Sequence, residues 1–144
     1  MAILIDHQLN QIAGLSNIKE NVTINSSTGA SGTIAFDVLT QSILYNTVAA
    51  TANWTLNIRG SATKSFESIT STNQSLTITF INTNGATAYF LSQVQLDGTN
   101  ATVRWQNSSP PSSATANAID IYVFTIIKIN TGTFTVLGSQ TKFS

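Results

Sequence analysis

The chain has 144 residues, no cysteine, and six basic against six acidic side chains, for a formal net charge of zero. Without cysteine, a disulfide framework, a thiolate metal site and a Cys nucleophile are all excluded. Charged residues make up only 8% of the chain, against about 25% in ordinary soluble domains, so the polar surface has to be neutral, and 17 Ser, 22 Thr and 14 Asn supply it.

The opening "MAILIDHQLN" has no basic leader, and Asp6 breaks its apolar run, so no secretory signal is expected and the mature chain is expected to start at Met1 or Ala2. Ile3, Ile5, Leu9, Ile12, Leu15 and Ile18 match neither the helical nor the strand period. Residues 1–20 are therefore read as an N-terminal arm, ahead of one domain over residues 21–144. A chain of this length can bury roughly two thirds of its unfolded surface in one core.

"NVTIN", "GTIAFDV" and "SILYNT" read as short strands between Asn21 and Thr47. "NWTLNIRG" follows, with Trp54, Leu56 and Ile58 on one face and Thr55, Asn57 and Arg59 on the other, the period of a half-buried strand. "SFESIT" (Ser65 to Thr70) allows one helical turn. "SLTITFIN" (Ser75 to Asn82) alternates again, with Leu76, Ile78 and Phe80 inward. "NTNG" (Asn82 to Gly85) reads as a hairpin turn, because Asn and Gly accept positive φ. "TAYFLSQVQL", a second turn "DGTN" (Asp97 to Asn100) and "ATVRWQ" would then complete a three-stranded meander. Pro110 and Pro111 mark "NSSPPSSATAN" as a loop.

"AIDIYVFTIIKI" (Ala118 to Ile129) is apolar on both faces, which predicts a strand covered on both sides or central in a sandwich. It is too short and too charged at its ends for the about 20 apolar residues of a membrane span, so no membrane insertion is expected. "NTG" and "TFTVLGSQTKF" close a last hairpin. Eight to nine short strands at such spacing predict an all-β antiparallel β-sandwich, jelly-roll-like or a related barrel.

Chemistry is scarce. His7 is the sole histidine, with Asp6 beside it, and no G-x-S-x-G elbow accompanies them. One His and no Cys cannot build the usual zinc site. Asp37, Asp97, Asp120 and Glu67 could serve calcium, but "DGTN" lacks the EF-hand pattern and reads better as a turn. No spacing selects a carboxylate pair for glycoside hydrolysis, and phosphate-cradling motifs are absent. The expectation is no enzyme, no catalytic residue, no metal and no cofactor. Lys19, Arg59, Lys64, Arg104, Lys128 and Lys142 are scattered, which argues against nucleic acid. Six Asn-x-Ser/Thr sequons, at Asn21, Asn25, Asn53, Asn73, Asn100 and Asn107, exceed the about four expected by chance only slightly and are read as composition. Among the aromatics, Trp54 is expected in the core. Trp105, together with Pro110 and Pro111 of the loop beside it, is the candidate contact with a partner.

"NWTLNIRG", "TFINTNGATAYFLSQVQLDGT", "VRWQ", "AIDIYVFTIIKI" and "FTVLGSQTKF", in order over roughly Thr33 to Ser144, resemble small virion structural or tail-fibre-like proteins of marine bacteriophages, chiefly of cyanobacteria. "NSSPPSS" stands where the relatives often show Gly-Gly. The resemblance transfers no site residues. It implies a part of a virion, assembled in the host cytoplasm: a capsid decoration or cement protein, or alternatively a tail-fibre or receptor-binding module touching host glycan or a surface protein. Other virion proteins would be its partners, and a homo-oligomer, a trimer in such parts, its form. A carbohydrate-binding or carbohydrate-active β-sandwich is the alternative of another class.

Overall fold

Alternation in the sequence becomes alternation in burial. A computed structural model describes residues 19–144 and, ahead of them, only the backbone of two short paired strands, β1 (Ile5–Asp6) and β2 (Gln11–Ile12). Apart from these, the arm expected over residues 1–20 lies outside the described residues up to Ile18, and so does His7.

The following strands are β3 (Val22–Asn25), β4 (Gly32–Asp37), β5 (Ile43–Asn46), β6 (Trp54–Arg59), β7 (Ser75–Thr83), β8 (Leu91–Leu96), β9 (Thr99–Asn100), β10 (Val103–Trp105), β11 (Ile119–Asn130) and β12 (Thr133–Phe143). The expected helical turn, α1 (Phe66–Ile69), separates β6 from β7. One sheet has six strands, in the order β10-β12-β11-β7-β5-β3, and the other has four, β4-β6-β8-β9. The protein is an all-β sandwich of two mixed sheets.

The antiparallel, jelly-roll-like arrangement needs correction. β3, β5 and β7 pair in parallel, as do β4, β6 and β8, and β10 with β12. Antiparallel pairing within the two sheets is confined to β7 with β11, β11 with β12, and β8 with β9. From β3 to β8 each strand lies in the opposite sheet from the one before it. Parallel neighbours cannot be joined by a tight turn and need a crossover, and from β3 to β8 each crossover is itself a strand of the facing layer. The chain winds three times through the two layers, and the β11-β12 hairpin then completes the larger sheet.

This winding dissolves the expected meander, since β7 and β8 belong to different sheets and "NTNG" is no hairpin turn. Asn82 and Asn84 do not take positive φ. Both are buried: the Asn82 side chain bonds that of Asn84, which in turn reaches Asp120 on β11. The Asp97-Gly98 turn does form: Leu96 faces Thr99 across it, with φ of 50° at Asp97 and 79° at Gly98, the left-handed pair that a two-residue hairpin demands.

The core lies between the layers. Trp54, Leu56 and Ile58 of β6 face Ile78 and Phe80 of β7 and Tyr122, Phe124 and Ile126 of β11, all buried. Trp54 packs on Phe80 and edge-on to Tyr122, each at 5.8 Å between ring centres, spacings favoured by aromatic quadrupoles. The helical turn is anchored from outside itself. The Asp97 carboxylate accepts from the Phe66 and Glu67 amides at 2.6 and 3.0 Å. The Lys128 ammonium donates to the Glu67 and Thr70 carbonyls at 2.8 and 2.7 Å.

Candidate interaction surface

β11 sits centrally in the six-stranded sheet, as its apolar character predicts, but coverage differs between its faces. Asp120, Tyr122, Phe124, Ile126 and Lys128 point inward and are buried, whereas Ile119, Ile121, Val123 and Ile127 are only half-buried and Ile129 is exposed. Alternation carries the outward set across the sheet. One row runs Ile24, Tyr45, Ile81, Ile121 and Thr141, and the next runs Val22, Ile43, Thr79, Val123 and Ser139. Val22 and Ile24 are 48% and 62% exposed, Leu137 42% and Phe143 54%. Arg104 on the edge strand β10, opposite Leu137, is the one charged residue at the outward strand positions among the described residues. A broad, nearly uncharged Ile/Val/Thr surface results, larger in kind than the isolated apolar residues of ordinary surfaces.

The opposite face carries a polar row at one end of the core. Asn25, Asn46, Asn82, Asp120 and Lys142 are in register on adjacent strands, and the middle three are buried. Asn82 Nδ2 donates to Asn84 Oδ1 at 3.1 Å, and Asn84 Nδ2 to Asp120 Oδ2 at 3.1 Å. Gln140 Nε2 donates to Asp120 Oδ2 at 3.3 Å and to the Tyr122 hydroxyl at 3.1 Å. Asp120 Oδ1 has no protein hydrogen-bond partner. Burial pushes the Asp120 carboxyl above its ordinary value of 3.8, against the pull of Asn84 and Gln140, and burial also pushes the Tyr122 hydroxyl up.

A raised carboxyl holds its proton more tightly in the folded than in the unfolded chain, so it contributes most to stability below the ordinary value. That contribution is lost as pH rises from 3.8 through the raised value. Asp120→Asn keeps an acceptor for Asn84 and Gln140 and abolishes the titration. It is expected to raise the melting temperature at neutral pH and to flatten the dependence seen in melts between about pH 3 and 8. A variant less stable than the parent at neutral pH, with an unchanged slope, would contradict this account.

Trp105, Pro110 and Pro111 are brought together. With Leu91, Val103 and Ala101 they line a cleft of about 190 Å³ at the open side of the sandwich. Trp105 is less free than its place at a strand end predicts, because its ring turns inward, half-buried, and meets Phe124 edge-on at 5.7 Å. Gly138 makes room for it, since a Cβ there would lie 3.0 Å from the Trp105 ring. Pro110 is exposed and Pro111 half-buried.

The other weighed residues have structural partners. Asp97 holds the helical turn, Asp37 pairs with Arg59 at 2.6 Å, and Glu67 pairs with Lys128 at 2.7 Å. The Lys128 hydrogen bond holds the Glu67 carboxyl below its usual range, and the Asp37 hydrogen bond raises Arg59 further. No group of three or more metal-ligating His, Asp or Glu side chains occurs among the described residues. No described helix is long and apolar enough to cross a membrane. Comparison with protein-family models, with curated proteins and with solved structures gives no match.

Proposed function

We propose that this chain is a non-enzymatic structural part of a bacteriophage particle, carried on its surface as a capsid decoration or cement-type protein. The observation that supports the reading is the outward face of the six-stranded sheet, a broad, nearly uncharged apolar surface on a chain whose polar residues are mostly Ser, Thr and Asn. Such a surface suits permanent contact with other proteins, where obligate interfaces are more apolar than the general surface. The ordered sequence blocks from Asn53 to Phe143 that resemble phage virion proteins give the assembly its expected identity.

The cleft formed by Trp105, Pro110 and Pro111 favours a second placement, a tail-fibre or receptor-binding module, since an aromatic ring beside neutral hydrogen-bonding residues suits glycan contact. Cryo-electron microscopy of purified particles carrying the chain separates the two. Density on the head lattice is expected for a decoration protein, density confined to the tail moves the chain to the fibre role, and its absence from washed particles removes both.

A further inference from the structure

The outward face of the six-stranded sheet is apolar and rich in β-branched side chains, and among its strand positions only Arg104 is charged. We infer that this face, centred on Ile121 and Val123, is covered by a second copy of this chain. Three features of the molecule point to that occupant. The first is extent. With strands about 4.8 Å apart and a rise of about 3.3 Å per residue, the part of the face spanned by β3, β5, β7, β11 and β12 is on the order of 600 Å² in plan. That is comparable to the about 800 Å² per partner of a standard stable interface.

The second is charge. A partner with an ordinary charged surface would have to strip water from ions that this face cannot pair, whereas the same face on another copy offers Ile, Val, Thr, Ser, Leu, Tyr and Phe in return, with Arg104 as a single charge on its edge strand. The formal net charge of zero adds no long-range repulsion between copies. The third is shape. Outward-pointing rows of Ile and Val on one sheet interdigitate with those of another at the separation of two packed sheets, so the pairing repeats outside the chain the packing already present inside it. This inference deepens the particle-component reading by naming one of its contacts, and it is tested on purified protein without a particle.

The mass of the full chain in solution, measured by light scattering, is expected to be a multiple of 15.3 kDa. Ile121→Asp places an unpaired carboxylate in the contact and should weaken association by at least about a hundredfold. The variant should then run at one chain mass with an unchanged circular dichroism spectrum.

Because that variant can fail to fold, a milder pair serves as a second test. The chain has no cysteine, so Val123→Cys supplies a single thiol on the face, and Ala35→Cys one on the outside of the other sheet. A short bismaleimide is expected to couple Val123→Cys into a two-chain product at least about tenfold faster than Ala35→Cys, as an effective concentration inside an assembly requires. A parent mass of one chain, or equal coupling at the two thiols, overturns the inference. That result would leave the particle reading standing if the chain is still found on the head, while absence from the particle alongside a multi-chain mass would remove only the particle reading.

Discussion

Trp54→Ala is expected to lower stability by about 4 kcal/mol, the range for emptying a large aromatic site in a close-packed core, and to drop the melting temperature by about 15 °C for a chain of this size. Trp54 is 1% exposed and bridges the two sheets, with Phe80 on one side and the edge of Tyr122 on the other. Both neighbours belong to the larger sheet, so the cavity opens at the seam where the layers meet and neither sheet can close it alone. Trp54→Phe should cost much less. It retains most of the ring, and it removes an indole N–H that is buried without a hydrogen-bond partner. Thermal melts of the two variants check this, and a small effect of Trp54→Ala would mean that the layers are not held through this residue.

Lys128→Met is the second large effect, expected at about 3 kcal/mol and roughly 10 °C. The side chain is buried beside Ile126 and Phe124 on the inward face of its strand, yet its ammonium contacts two carbonyls of the helical turn and the Glu67 carboxylate. Removing it leaves two carbonyls without their donor, and each such loss in a buried place costs about 1–3 kcal/mol. Adding Glu67→Gln to Lys128→Met should lower stability by less than the sum of the single changes, because the two side chains act on one another. A neutral Lys128→Met would show that water satisfies those carbonyls equally well.

Local signals proved reliable where the determinant is local. The alternation in Trp54 to Arg59 and Ser75 to Thr83, the Asp97-Gly98 turn, the Phe66 turn of helix and the closing hairpin at Asn130 to Thr133 were all legible, since each depends on residues a few positions apart. Which sheet a strand joins does not. Period two states which side chains share a face and says nothing of the neighbour, so the parallel winding of β3 through β8 left no trace that a local reading could find.

"NTNG" misled for a physical reason. Asn residues favour turns because their side chains bond locally, yet Asn82 and Asn84 are drawn into a buried network that ends on Asp120. Part of the candidate surface was visible as the two-sided apolarity of Ala118 to Ile129. That signal predicts coverage on both sides, and within the described residues the fold supplies coverage on one. Trp105 was expected to stand exposed at its strand end, but its ring is half-buried against Phe124 in the space that Gly138 leaves.

The position of β11 also bears on how the chain is made. It fills the middle of the larger sheet, between β7 and β12, but is translated long after β7. At about 5–20 residues per second on the ribosome, the nascent chain spends seconds with the β7 edge unpaired and Ile78 and Phe80 without their neighbours Phe124 and Tyr122. Pairing between such distant segments is slow, and the exposed edge is a template for wrong partners. The interval between emergence of Thr83 and emergence of Asn130 is therefore when the β7 edge stands open to such pairing.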